Sequence, residues 1–415
     1  MNLADMLCYA DIEQLTRIAD AYECDCSSHS KNELIQSILT AVQRRDALET
    51  RVGQMSKDDL RFLNSLLFET RATYSLEELK ARAIGNAAGK EERASGSANS
   101  PMLSVPVKQA LSPAGSRSRK KSASPELPPL EPDEIARLAI TRFKRFGWLF
   151  NGISQQTRYL FQVPEDVKTR LCDTLERQFR TSLQITDEPP VYRDEQGLLA
   201  DDLIRLLRYA RDNDAPLTSE GILYKRQLGQ LLELMSIGEQ VPAKGGWRFG
   251  YGRRIRDYPE RFSLLYDFAW YNGFIREEFE RLVVTEEGHR AAEAKGTLDP
   301  APLYRLWLRL YKGPIPNLLS LVQWVSRLGT EWVTVSSLRE VLLPLIRPYY
   351  YDTPQDVLER RVLAMMVHLG LLRWGETEAR EAVVRMTSQG RSIVKGTSLA
   401  FEDTIRMDGT GVDSS

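Results

Sequence analysis

Residues 271–288 read YNGFIREEFERLVVTEEG, and residues 368–390 read HLGLLRWGETEAREAVVRMTSQG. Each stretch ends a helical pattern at a glycine, passes through two apolar runs separated by polar residues, and closes on Thr-x-x-Gly. Gly273 and Gly370 fit the left-handed residue just past a helix C-terminus. The runs Phe279 to Val284 and Ala382 to Met386 have strand character. Thr285 and Thr387 stand where a hydroxyl caps a new helix, and Gly288 and Gly390 allow that helix to pass close to a neighbour. A third pentad, Leu217-Thr218-Ser219-Glu220-Gly221, shares the pattern and predicts a helix over 222–235. Helix, glycine stop, β-hairpin and capped helix follow one another as in a winged-helix module. The fold expected is mainly α with small β-hairpins: tandem winged-helix-like modules plus a separate small helical N-terminal module.

Outward from the repeat, composition divides the 415 residues. A helical module is expected at 1–88, a tether at 89–130, three winged-helix-like units at 131–240, 241–298 and 299–397, and a flexible tail at 398–415. The tether is rich in Ser, Ala, Pro and Gly, contains Arg117-Ser118-Arg119-Lys120-Lys121, and lacks an apolar period. Ser30, Ser56 and Ser75 are placed to cap helices, and Leu60, Leu63, Leu66, Leu67 and Leu79 are expected in the core. Ile12, Leu15, Ile18 and Ala19 form one helical face. The helix pair within 7–42, its second helix opened by Ser30 and Lys31, resembles the SAP-type helix-extended-helix module, a family that commonly binds DNA.

A second resemblance rests on Pro216 to Arg226, Phe249-Gly250-Tyr251-Gly252-Arg253-Arg254, Tyr258-Pro259-Glu260-Arg261-Phe262 and Gly370-Leu371-Leu372. These are similar to the N-terminal, non-ATPase domain of XPB-type helicases, which also occurs in bacterial proteins without a motor, and the likeness would cover about 133–397. It implies a winged-helix-rich accessory region contacting DNA, or a helicase, transcription or repair protein.

The chemistry expected is binding. Gly85-Asn86-Ala87-Ala88-Gly89-Lys90-Glu91 is one residue short of a phosphate loop, and Glu91 replaces the hydroxyl that would hold magnesium, so no ATPase and no cofactor is expected. Cys8, Cys24, Cys26 and His29 lack a usual zinc-finger spacing, so no metal is expected. Acidic residues near the N-terminus and the lack of a long apolar run point to a cytoplasmic protein without a membrane span.

With 56 Lys and Arg against 57 Asp and Glu, DNA binding needs a local basic surface. The segment from Lys244 to Arg256 interleaves cations with aromatics on glycines. Arg248, Arg253, Arg254 and Arg256 would meet phosphates and Trp247 and Tyr251 would stack, with Lys225, Arg226 and Lys31 as further contacts. The alternative is that the aromatics are core anchors and the arginines pair with Asp257 or Glu260. Without DNA affinity, the chain would be a protein–protein scaffold.

Overall fold

The computed structural model describes residues 1–26, 30–69, 71–86, 131–243, 248–250, 252–293 and 299–397. The tether and tail expected at 89–130 and 398–415 lie outside the described residues. Helices dominate, with small antiparallel sheets. No described helix is long and apolar enough to cross a membrane. The described residues form two compact units. One draws on Met1–Leu67 and Arg71–Leu175; the other holds Phe68, Glu69 and the residues from Glu176 onward.

The first unit contains α1 (Leu3–Tyr9), α2 (Ile12–Ala21), α3 (Lys31–Gln43), α4 (Arg45–Gly53), α5 (Lys57–Leu67), α6 (Leu76–Asn86) and α7 (Pro132–Arg145). A hairpin of β1 (Phe150–Asn151) and β2 (Phe161–Gln162) follows. Ser30, Ser56 and Ser75 accept the backbone N–H of Glu33, Asp59 and Glu78, so each helix starts where its serine sits. Leu15, Ile18, Leu34, Ile38, Leu60, Leu63, Leu66, Leu67 and Leu79 are buried. Ile12 is exposed instead, because it opens the first turn of α2. Gly85 and Asn86 end α6, and the rest of the phosphate-loop-like stretch lies outside the described residues.

Helix α8 (Glu165–Ser182) leads to β3 (Ile185–Thr186) and β4 (Val191–Arg193). Next come α9 (Leu198–Asp212), α10 (Lys225–Leu234), α11 (Glu260–Tyr271), β5 (Ile275–Glu278), β6 (Arg281–Val284) and α12 (Glu286–Glu293). Beyond α13 (Ala301–Tyr311) the order repeats: α14 (Leu318–Leu328), β7 (Trp332–Thr334) and α15 (Val335–Leu342). Then α16 (Pro354–Asp356) continues through a π-helical segment, Val357–Leu363, into α17 (Ala364–His368), followed by β8 (Leu372–Glu376), β9 (Ala382–Met386) and α18 (Ser388–Gly396).

In both copies a short strand after the first helix pairs with the last strand of the hairpin. Residues 215–217 bond to Glu280 and Leu282 in the first copy, and β7 pairs with β9 in the second. The first copy starts at Leu198, upstream of residue 241 where the sequence pattern opens a unit. The second hairpin is not isolated: β3 and β4 add edges, giving an antiparallel sheet in the order β3-β7-β9-β8-β4.

The two Thr-x-x-Gly pentads make one lock. The Thr387 hydroxyl donates to the Gly370 carbonyl (3.0 Å) and accepts the Gly390 N–H (2.8 Å). Thr285 does the same between Gly273 and Gly288. Gly273 and Gly370 have φ of 67° and 70°. A Cβ at 288 would lie 2.1 Å from the Phe274 carbonyl oxygen, and one at 390 would lie 2.3 Å from that of Leu371, so only glycine fits.

The first pentad departs from this pattern. Gly221, with φ 73°, closes a turn in which its N–H bonds to the Thr218 carbonyl, and α10 begins only at Lys225. A left-handed residue cannot sit in a first helical turn, so Thr218 caps no helix. Phe279 and Glu280, read as strand, form the two-residue turn between β5 and β6.

Gly390→Ala is expected to destabilise the chain by about 1–3 kcal/mol or more through overpacking. Gly229→Ala, at a helical site with nothing within 4 Å of the new methyl, should stabilise it by about 0.5–1 kcal/mol. Denaturant melts of the two variants check the contrast.

Candidate nucleic-acid interface

The loop entering α11 is shaped by its glycines and tied down by its arginines. Arg248 donates from Nε to the Ile255 carbonyl (3.0 Å) and from a terminal nitrogen to that of Tyr258 (2.9 Å), closing the loop on itself. A Cβ at 252 would lie 2.4 Å from an Asp267 carboxylate oxygen, and that oxygen accepts the Arg253 backbone N–H at 3.2 Å.

Arg253 and Arg254 reach one carboxylate oxygen of Glu277, on β5, at 2.9 and 2.8 Å. Neither Asp257 nor Glu260 is the partner. Arg253 also lies 3.8 Å over the Trp270 ring, and Arg254 donates to the Glu220 carbonyl at 2.7 Å. Tyr266 donates to the other Glu277 oxygen at 2.9 Å. Residue 221 is glycine for its left-handed φ of 73°, and the Arg254 guanidinium stands 2.2 Å from where a Cβ would lie. The Arg253 and Arg254 side chains are only 26% and 13% exposed.

The remaining sites expected from sequence are dispersed. Arg256 is exposed, as are Lys225 and Arg226 at the start of α10. Lys31 donates to the Cys8 carbonyl, in the last turn of α1, at 2.8 Å, which is a structural use of its charge. Trp247 and Tyr251 lie outside the described residues, as does His29 of the cysteine cluster.

A better-organised surface lies in the second copy. Tyr349 and Asp352 exchange backbone hydrogen bonds, both 3.0 Å, around a tight turn that carries Tyr350 and Tyr351 at its tip. Those rings are 78% and 79% exposed, and Tyr350 holds a left-handed φ of 51°. Such strain persists only where the surroundings enforce it. Asp352 is buried and pairs with Arg361 at 2.6 Å. Arg361 also pairs with Glu260 and lies 5.0 Å over the Phe249 ring, which itself packs on Tyr349.

Arg361 belongs to the wall of an open cleft of about 430 Å³, which also presents Arg193, Arg360, Glu359, Val367 and Trp374. Arg193 and Arg360 are more than half exposed. The turn, the cleft and Phe249 of the arginine loop thus meet at one guanidinium. Sequence reasoning passed over Tyr350 and Tyr351, although three tyrosines between Pro348 and the helix cap Thr353 were a visible signal.

Helix α11 offers no such face, since Arg261 to Ala269 are all buried. Burial pushes the Asp267 carboxyl up to about 7. No protein-family model matches the chain, and neither does any curated protein or solved structure.

Arg254→Ala should cost about 2–4 kcal/mol, because Glu277 loses a partly buried partner. Arg256→Ala should stay within about 0.5 kcal/mol of wild type in the same urea titration. Asp267 holds its proton in the folded chain to a higher pH than in the unfolded one. The stability that Asp267 contributes is therefore full below about pH 4, is lost as pH rises through about 7, and does not change above. Asp267→Asn should remove that slope.

Proposed function

We propose that this chain is a non-catalytic, DNA-associated accessory protein of the cytoplasm that binds single-stranded stretches on the Tyr350–Tyr351 turn and the adjoining cleft. The element order of both copies supports a winged-helix-like reading: helix, strand, two helices, hairpin, capped helix, with the first strand beside the last. The observation that carries the binding proposal is a pair of exposed tyrosines on a turn tied through Asp352 and Arg361 to a cleft bearing Arg193 and Arg360. Rings stack on unpaired bases whatever their identity, while guanidinium groups meet phosphates.

Arg256, Lys225 and Arg226 remain as additional phosphate contacts. The resemblance to the non-ATPase domain of XPB-type helicases agrees with this role, and a helicase, transcription or repair protein is the partner it suggests. Neither a cofactor nor a metal takes part in this reading.

Burial of α11 argues against base readout in a major groove by the first copy, whose helix in that position has no free face. That same burial, with the internal pairing of Arg253 and Arg254, favours a scaffold role for the first copy.

Anisotropy of a labelled oligothymidine measured over a salt series separates these readings. Tyr350→Ala with Tyr351→Ala should weaken binding at least about tenfold and leave the salt slope unchanged. Arg360→Ala and Arg256→Ala should each flatten the slope by about 0.7. Wild-type protein with no salt-dependent affinity would leave the scaffold reading in place of the DNA one.

A further inference from the structure

From Ile135 to Pro164, thirty consecutive residues hold five cations and no Asp or Glu, in a chain with 57 acids in all. Arg137 and Arg142 are taken up by Asp133 and Asp59. The other three have no carboxylate partner among the described residues. Lys144 donates instead to Asn151 Oδ1 at 2.9 Å, Arg158 donates to the Tyr159 hydroxyl, and Arg145 is exposed at the end of α7. A helix C-terminus favours cations in its last turn, which accounts for Lys144 and Arg145 but not for Arg158, in the loop beyond.

That loop, between β1 and β2, is built to hold one shape. Gly152 lets it close, since a Cβ there would lie 2.3 Å from the Thr157 carbonyl oxygen. The hydroxyls of Ser154 and Thr157 accept each other's backbone N–H at 3.2 and 3.1 Å. Asn151 ties the loop to α7, accepting from Lys144 and donating to the Arg158 carbonyl at 3.0 Å. The Arg158 guanidinium lies 4.6 Å over the Tyr159 ring, and Tyr159 is 69% exposed. Burial first, and then the charge of Arg17 on α2, push the Lys144 amine below its ordinary range, with Asp11 acting the other way. Arg17 is itself paired with Glu13. Two cations crowded at a half-buried position gain from an added anion.

We propose that the end of α7 and the β1–β2 loop bind single-stranded nucleic acid at a site separate from the tyrosine turn. Lys144, Arg145 and Arg158 meet phosphates, and the exposed ring of Tyr159 stacks on a base. A cation with a ring beside it suits a phosphate with a base beside it, and that pairing selects a nucleic acid over other polyanions.

Calorimetric titration of the full chain with a short oligothymidine at low salt tests this by counting strands. Two strands per wild-type chain are expected, one on each surface. Lys144→Gln with Arg158→Gln should leave one, and Tyr350→Ala with Tyr351→Ala should leave the other. Tyr159→Ala, at an exposed residue, should weaken the first-unit strand at least about fivefold with an unchanged thermal melt, which keeps the test decisive should the Lys144 variant misfold. A single strand per chain that all the first-unit substitutions leave in place overturns the inference, as does a wild type that binds no strand. One strand per chain, lost with Lys144→Gln and Arg158→Gln but kept with Tyr350→Ala and Tyr351→Ala, would sustain it while removing the tyrosine turn from nucleic-acid binding. Binding of phosphatidylserine vesicles that Arg158→Gln abolishes, with no strand bound, would assign the surface to a lipid headgroup and equally overturn it.

Discussion

Arg361 is the interaction on which the proposed binding surface depends. Its side chain is 6% exposed, and a charge that deep is tolerated only when fully paired. Burial works against the charged form, yet hydrogen bonds and charge from Asp352 and Glu260 more than offset it, so the guanidinium stays protonated. Those acids come from distant places in the chain: one ends the tyrosine turn, the other opens α11. Phe249, under the guanidinium, brings in the glycine-rich loop. Two segments without regular structure and the start of α11 are therefore held by one cation on a π-helical turn, a kind of segment often found at functional sites.

The two copies show how one local device serves different surroundings. In each, a threonine hydroxyl joins the carbonyl of a helix-ending glycine to the N–H of a helix-opening one. The lock fixes the angle between a hairpin and its flanking helices wherever it occurs. What surrounds it then diverges. The first hairpin has a two-residue turn and, among the described residues, pairs only with residues 215–217, whereas the second is the centre of a five-stranded sheet. The first copy buries its third helix; the second leaves Arg360 and Ala364 of the corresponding helix on the wall of a cleft.

Sequence revealed what is encoded locally. Ser30, Ser56, Ser75, Thr285 and Thr387 announce their helices because a cap needs only a hydroxyl three residues ahead of an N–H, and Gly273 and Gly370 mark helix ends for an equally local reason. Long-range choices were hidden. Glu277 lies 23 and 24 residues from the arginines it holds, so spacing favoured the nearby Asp257 and Glu260 instead. The pentad at 217–221 has the right letters, but Gly221 takes a left-handed conformation with Arg254 against it, and a turn replaces the cap. Strands β3 and β4 have two and three residues, too few to show a period of two. The tyrosine turn was in plain sight in the sequence, but its importance comes from Arg361, a pairing that only the fold creates.

The central claim is that nucleic acid lies across the tyrosine turn and the cleft held by Arg361. Photocrosslinking of a single-stranded oligonucleotide substituted with 5-bromouracil to the full chain, with the modified residues located by mass spectrometry, tests it most directly. Crosslinks at Tyr350, Tyr351 or Trp374 are the predicted result. Crosslinks confined to the first unit or to Phe279 would contradict the account.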